Sequence, residues 1–209
     1  MIAPLEPNPA VKYIQPKVQR RMGRLLIQIQ QYEKLLKTLL VESEIAGTID
    51  SVPASRNARV EKYRAMTLGT LVKETKTTFL RTGPLPDDDD LCPHPSKVVF
   101  RARWTIQLTE NNAATLEEDL RKLVTLRNDL VHHLIEQFDI FSVEGCRAAL
   151  SHLEECRQTL DAAYTTLREW AHDLMTAREA MAAPAFRAML IDHLSNGAPK
   201  QVEQSDAKS

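Results

Sequence analysis

The apolar positions between about Lys17 and Ile45 recur at alternating spacings of four and three residues, which is the seam of a long amphipathic helix. The seam consists of Val18, Met22, Leu25, Ile29, Tyr32, Leu36 and Leu39. Gly47 and the polar residues after it favour the end of the helix there. Because residues 1–16 carry four prolines, we expect an extended N-terminal arm before the helix.

Helical spacing of apolar residues returns in the second half of the chain. It predicts one helix from about Ala113 to Gln137, and another that begins after Ser142 as its N-cap and runs to about Ala180. Pro184 should interrupt this pattern, and the residues after it have the composition of a short amphipathic helix.

Two shorter helices are expected between these long ones, at residues 56–64 and after Thr67, which is suited to an N-cap. The pattern therefore predicts an all-α fold, an antiparallel up-and-down bundle of four to five helices, in a single domain over residues 17–195. The polar tail 196–209 should be disordered.

Two segments depart from helical spacing. Residues 98–108 alternate apolar and polar side chains, the period of a strand. No second segment offers a convincing partner, so a short strand, an irregular extended segment and the start of a helix all stay open. Residues 81–97 contain four prolines and the run Asp87–Asp90, which predicts an exposed acidic loop.

Composition narrows the classes of partner. The net charge is −1, so attraction to RNA must come from local clusters of basic residues. No apolar run approaches the length of a membrane span, and the N-terminus lacks a signal-peptide core, so we expect a cytoplasmic protein without a membrane partner. The three cysteines show no CxxC spacing and predict reduced thiols, without a metal site or a cofactor.

Polar residues cluster unexpectedly in "TLRNDLVHH", residues 125–133. Leu116, Leu120, Leu123, Leu130 and Leu134 set a register in which Arg127 occupies an apolar position. A guanidinium buried there without an acceptor would be very costly, so it must reach solvent or find a partner. Such a departure from the pattern is typical of a functional site.

The geometry of a regular helix groups three of these side chains. At about 100° per residue, His132 stacks one turn above Asn128, and the long Arg127 side chain can reach the same cleft. His133 points elsewhere, nearer Asp129. Histidine can transfer protons near neutral pH and arginine can hold a phosphate, so the group suits cleavage of a phosphodiester.

A second interpretation needs no function. Two histidines near the C-terminus of a helix interact favourably with its dipole, and Arg127 would then pair with a carboxylate at the edge of the core. The candidates are Glu117, Asp119 and Glu154. The spacing proves little by itself, because Arg147 and His152 repeat it.

"RNDLVH" resembles the Arg-Asn-x-x-x-His signature of the HEPN superfamily, whose members are small helical bundles. In that family the motif lies at the end of one long helix, shortly before the loop into the last long helix, as the predicted helices place it here. Six residues carry the resemblance in sequence, whereas the architecture covers most of the helical chain.

The resemblance implies a metal-independent endoribonuclease of the toxin or phage-defence type, with the motifs of two protomers meeting at a homodimer interface. It implies that His132 is a general acid and base, that Arg127 stabilises the scissile phosphate and that Asn128 supports this geometry. The double histidine leaves open whether His132 or His133 is catalytic. An antitoxin or other regulatory partner would fit this class.

A basic face on the first helix could contact RNA. Lys17, Arg20, Arg21 and Arg24 share one side of the helix with no acidic residue between them, which suits phosphate contacts and also suits an ordinary solvated face. Arg101 and Arg103 beside Trp104 could stack on single-stranded RNA, or Trp104 could anchor the core.

Two alternatives to the nuclease remain. One is a non-catalytic helical module that binds RNA, a nucleotide or a partner protein through the same cleft. The other is a structural protein whose first helix pairs through its seam with another chain.

Overall fold

The computed structural model describes residues 9–48, 50–83 and 100–196. Most of these residues are helical and the strands are short, which confirms the predicted all-α class. The helices are α1 (Pro9–Glu42), α2 (Val52–Arg64), α3 (Leu68–Thr78), α4 (Glu110–Asn128), α5 (Leu134–Gln137), α6 (Val143–Ala182) and α7 (Pro184–Asn196), with a π-helical turn (Asp129–His133) between α4 and α5. The strands are β1 (Glu44–Gly47), β2 (Leu80–Arg81), β3 (Phe100–Arg103) and β4 (Ile106–Gln107).

Helix α1 begins earlier than the prolines led us to expect. The predicted extended arm is wrong for residues 9–16, which are helical, whereas residues 1–8 lie outside the described residues. Pro9 is the first helical residue, where its missing N–H costs nothing. Pro16 lies inside the helix and removes one backbone bond, but Val11 and Val18 on either side of it are buried and hold the helix in place.

The core is built on the seam of α1 and one face of α6. Every predicted seam residue except Met22 is buried. On α6 the buried residues again follow spacings of three, four or seven, and they are Cys146, Ala149, Leu153, Cys156, Leu160, Leu167, Trp170 and Leu174. Because this chain's own core covers the seam, it is not free to pair with another chain.

The alternating segment near residues 98–108 forms two strands with distant partners. β3 pairs antiparallel with β1, placing Glu44 opposite Arg103, and β4 pairs in parallel with β2, placing Leu80 opposite Ile106. The backbone N–H of Trp104 also donates to the carbonyl of Ser43. The extended segment is therefore confirmed, and its partners are the segments that directly follow α1 and α3.

An ion cluster fastens β1 to its neighbours. Glu44 accepts from Arg101 at 3.0 Å and from Arg103 at 3.2 Å. Arg59 of α2 pairs with the same carboxylate. Burial alone would raise the pKa of Glu44, but the three guanidinium groups together hold it below its usual value. Arg101 and Arg103 therefore serve the fold in this structure, which weakens the prediction that they bind RNA.

The chain divides into two compact units, one ending at Trp170 and the other beginning at Ala171. The expected domain of residues 17–195 spans parts of both. The described part of the second unit consists of the end of α6 and all of α7. Residues 84–97, which make up most of the expected acidic loop, lie outside the described residues. The tail from residue 197 also lies outside them. None of the described helices is long and apolar enough to cross a membrane.

Candidate active site at the end of helix α4

The polar motif coincides with a change in helix type. Residues 129–133, "DLVHH", form the π-helical turn between α4 and α5. A π turn bonds each residue to the fifth along the chain, and such single turns are common at functional sites. Leu130 is fully buried beneath the turn, while His132 and His133 are exposed. The extra residue means that a regular helical wheel does not give the direction of His132.

Arg127 does not occupy the core position that the sequence assigned to it. Leu126 is 7% exposed and takes that position, so the buried leucines before the turn are Leu120, Leu123 and Leu126. Arg127 is half-buried at the edge of the core. The predicted register is wrong because two successive spacings of three also lie on one face of a helix, and Leu130 then follows Leu126 by the usual spacing of four.

The guanidinium of Arg127 contacts its chain neighbour. Its Nη1 donates to Oδ1 of Asn128 at 3.1 Å, and Asn128 is exposed. No carboxylate of a described residue lies within ion-pair distance of Arg127. The three acids expected as partners are engaged elsewhere: Glu117 by Lys76, Asp119 by Lys122, and Glu154 by Arg21 and Arg157. Arg127 therefore keeps most of its donors for another group.

The two histidines have different surroundings. Nδ1 of His133 lies 3.0 Å from a carboxylate oxygen of Glu136. His132 has no hydrogen-bond partner in the part of the chain that the structure describes, and its ring centroid lies 6.2 Å from that of His133. No hydrogen bond joins His132 to Arg127 or Asn128 within that part either. The motif thus consists of an Arg127–Asn128 pair and a separate pair of histidines.

A depression between α4 and α6 reaches Asp129, the first residue of the π turn. It has a volume of about 270 Å³, and Asp129, His152, Glu155 and Cys156 are among the residues that line it. Sγ of Cys156 lies 3.5 Å from Nε2 of His152, a contact that the sequence analysis missed. His152 and Cys156 are four residues apart on α6, so helical spacing was the available signal.

The Cys156–His152 pair is not set up as a nucleophile. Burial above all, together with the nearby carboxylates of Asp129 and Glu155, raises the pKa of the Cys156 thiol to about 11. The thiol therefore keeps its proton at neutral pH, whereas thiol chemistry needs the thiolate. Among the described residues, no group of three or more His, Cys, Asp or Glu side chains could hold a metal ion.

The predicted basic face is only partly available. Lys17, Arg20 and Arg24 are exposed, whereas Arg21 forms an ion pair with Glu154 of α6 at 2.7 Å. Nζ of Lys17 lies 3.9 Å from the ring centroid of Tyr13. Three of the four residues thus face solvent, and Arg21 connects α1 to α6.

Large apolar side chains are exposed close to the histidines. Val131 is 43% exposed, Ile135 64% and Phe141 73%. Val131 and Ile135 are four residues apart, and Phe141 lies in the short connection into α6. We call these three residues the apolar patch. They lie within an eleven-residue stretch of the chain, and exposed large apolar side chains that form one patch commonly mark an interaction surface.

The chain was compared with protein-family models, curated proteins and solved structures, and none of them matches it.

Proposed function

We propose that the chain is a metal-independent endoribonuclease of the toxin or phage-defence type, with the HEPN-like motif as its active site. The observation that carries the proposal is the combination of Arg127 with an exposed His132 on a π turn. Among the described residues, Arg127 has no carboxylate partner and His132 has no hydrogen-bond partner. A cation that can bind a phosphate and an imidazole that can transfer a proton are the two groups that this chemistry needs.

The reaction would use the RNA itself as nucleophile. His132 takes the proton from a ribose 2′-hydroxyl, and the 2′-oxygen attacks the adjacent phosphorus. The 5′-oxygen leaves with a proton, giving a 2′,3′-cyclic phosphate and a 5′-hydroxyl. Arg127 stabilises the charge that develops on the phosphoryl oxygens, and Asn128 holds the guanidinium in place. His133, paired with Glu136, has a supporting role.

A homodimer would supply the second proton-transfer group. The apolar patch of Val131, Ile135 and Phe141 lies next to His132 in the chain. Burying such a patch against its symmetry mate would bring two copies of the motif to one interface. His132 of one protomer could then act as the base while His132 of the other protonates the leaving oxygen.

The proposed fold for this function is an antiparallel up-and-down helical bundle. Contacts between two pairs of helices that follow one another in the chain support it. Glu42 of α1 contacts Arg56 of α2, and Lys37 of α1 contacts Arg64 of α2. Residue numbers therefore fall along α1 as they rise along α2, which means that the two helices are antiparallel. Helices α3 and α4 are antiparallel for the same reason. Lys76 of α3 contacts Glu117 of α4, and a Cβ at Gly69 of α3 would lie 3.7 Å from Val124 of α4.

RNA would approach along the basic face of α1. Arg21 pairs with Glu154, which is two residues from His152 and Cys156 in the depression beside Asp129. Lys17, Arg20 and Arg24 are therefore at the same end of the helices as the motif, where they can hold phosphates on either side of the scissile bond. Such an enzyme would act in the cytoplasm under the control of an antitoxin or other regulator.

The decisive test is cleavage of RNA by the purified chain in the presence of EDTA. Wild-type protein should give products ending in 2′,3′-cyclic phosphate, and His132→Ala should give none. His152→Ala is the matched control, because that histidine belongs to the second Arg-x4-His pair and should be dispensable. Equal cleavage by wild type and His132→Ala would overturn the proposal.

One observation favours a second candidate, a helical module that binds RNA without cleaving it. A catalytic histidine is usually oriented by a hydrogen bond to its second ring nitrogen, and His132 has none among the described residues. For this candidate we expect saturable RNA binding that weakens with salt, with no turnover in wild type.

A further inference from the structure

A pocket of about 180 Å³ is lined by residues of α3, β2 and the first half of α4. They include Lys76 of α3, Arg81 of β2 and Glu117 of α4, together with Leu108, which follows β4. The residues of the HEPN-like motif do not line this pocket. A ligand bound here would therefore be independent of the proposed nuclease activity.

The short parallel sheet fixes the backbone of Arg81. The pairing of β2 with β4 places Arg81 opposite Gln107. The carbonyl of Arg81 accepts from the N–H of Leu108 at 2.7 Å. The side chain of Gln107 donates to the carbonyl of Gly83 at 3.0 Å. The arginine is thus held at the pocket by backbone pairing, as in sites that are formed before a ligand binds.

The guanidinium of Arg81 lacks an acceptor. The side chain is half-buried, and its Nε is shielded from solvent without a hydrogen-bond partner in the described part of the chain. No carboxylate of a described residue lies within ion-pair distance of it. Arg59 is also half-buried, but it donates to Glu44 and to the carbonyl of Val41. Burying a charged donor without an acceptor is costly, so an acceptor supplied by a ligand would be favoured at Arg81.

The charged residues that line the pocket leave one positive charge unbalanced. Lys76 and Glu117 form an ion pair with each other, whereas Arg81 has no such partner among the lining residues. A singly charged anion would balance this charge. A more highly charged phosphate would be less favourable, because the carboxylate of Glu117 would repel it. The planar fork of a guanidinium also matches the two oxygens of a carboxylate.

Apolar side chains make up another part of the wall. Leu80 and Leu108 are half-buried and line the pocket with Ala113. The volume of about 180 Å³ exceeds that of an apolar cavity of about 150 Å³, which accepts benzene. The pocket can therefore hold an apolar group of that size beside the guanidinium.

We propose that this pocket binds a small organic monocarboxylate whose apolar part is about the size of a benzene ring. The carboxylate oxygens accept from the guanidinium of Arg81, and the apolar part lies against Leu80 and Leu108. The ion pair of Lys76 with Glu117 stays intact, so the ligand balances the charge of Arg81 alone.

The test titrates isotope-labelled protein with benzoate at neutral pH. NMR follows the Nε–Hε resonance of Arg81 and the backbone amides of Thr82 and Leu108. Benzamide is the matched ligand, because it has nearly the same shape without the negative charge. We expect benzoate to saturate these shifts and to bind about tenfold more tightly than benzamide, because hydrogen bonds between charged groups are stronger than neutral ones. Inorganic phosphate should bind more weakly than benzoate.

Two pocket variants and one control identify the residues that bind benzoate. Arg81→Gln should lower the affinity by about tenfold or more, as the two backbone amides report. Ala113→Leu should fill the pocket and block benzoate although Arg81 is intact. Arg121→Gln is the matched control. It loses the same charge at an exposed arginine of α4 that pairs with Glu118, so the affinity should be kept.

The proposal fails if benzoate produces no saturable shift, or if benzamide or phosphate binds as tightly as benzoate. It also fails if Arg81→Gln or Ala113→Leu keeps the affinity of the wild type. Thermal unfolding of each variant checks that the chain still folds. Because the Arg81 side chain has no partner among the described residues, the melting temperature of Arg81→Gln should barely change.

Discussion

The guanidinium of Arg127 donates from Nη1 to the side-chain oxygen of Asn128, the next residue in the chain, at 3.1 Å. Adjacent residues on a helix point in directions about 100° apart, so the arginine must fold along the helix surface to make this contact. A guanidinium has five N–H donors, and this bond uses one of them. The arginine is thus held by its neighbour while most of its donors stay free for an anion.

The first prediction follows from that arrangement. Arg127→Ala should lower the rate constant for RNA cleavage by about 10²- to 10³-fold, as loss of a charge-stabilising donor does in other enzymes. The melting temperature should barely change, because the side chain is half-buried and has no ion-pair partner among the described residues. Arg147→Ala, at an exposed arginine with the same Arg-x4-His spacing, should leave both quantities unchanged.

Sequence periodicity predicted the core of α1 well. Leu25, Tyr32 and Leu36 are buried as their spacing indicated, because a long amphipathic face has few other ways to be covered. Ser142 also acts as the predicted cap, since its hydroxyl accepts from the N–H of Gly145 at 3.0 Å. Both features are local, so they can be read from neighbouring residues.

The errors at the site came from features that are not local or not regular. The π turn cannot be read from a period that assumes a regular helix. The register of Arg127 was wrong because residues three apart also share one face of a helix, which let Leu126 take the buried position. The pairing of β1 with β3 joins segments more than fifty residues apart in the chain. The depression between α4 and α6 depends on which two helix faces meet, and spacing along one helix cannot indicate that.

The second prediction concerns Gly145, near the start of α6. A Cβ added there would lie 2.0 Å from the carbonyl oxygen of Asp139. Backbone atoms must move to relieve that clash, so Gly145→Ala should lower the melting temperature and disturb the connection that carries Phe141. Gly23 is the matched control, because a Cβ there meets nothing within 4 Å.

Gly23→Ala should raise stability, by about 1 kcal/mol at most, because alanine favours the interior of a helix. Chemical denaturation of both variants measures the two effects. Equal changes in the two variants, or a gain in stability for Gly145→Ala, would show that the close approach of Asp139 to Gly145 is not rigid.

The third prediction concerns pH. The folded-state pKa of Glu44 lies below its unfolded value, so its ion cluster adds stability above the unfolded pKa, and that contribution is lost as pH falls through the folded value. Below about pH 4.5 the wild type should therefore lose stability with acid more steeply than Glu44→Gln. The measurement is the melting temperature of both proteins at neutral and acidic pH.

Other carboxylates contribute to acid unfolding in both proteins, so only the difference between them reports on Glu44. Glu61→Gln is a suitable control, because Glu61 is an exposed acid on α2 whose contact with Arg64 spans 3.6 Å. Exposed pairs of this kind contribute little, so its acid profile should follow that of the wild type. Identical profiles for Glu44→Gln and the wild type would contradict the prediction.

The last prediction tests the proposed dimer through the apolar patch. Placing a charge in a dry interface is costly, so Ile135→Asp should weaken self-association by about thirtyfold or more, measured by analytical ultracentrifugation. Ile27→Asp is the matched control, because Ile27 is similarly exposed, at 56% against 64% for Ile135, and lies on α1.

If two motifs must meet for catalysis, Ile135→Asp should lose RNA cleavage at low protein concentration and recover part of it as concentration rises. If the wild type is monomeric and fully active, cleavage does not depend on dimerisation. Each motif must then carry out both proton transfers alone.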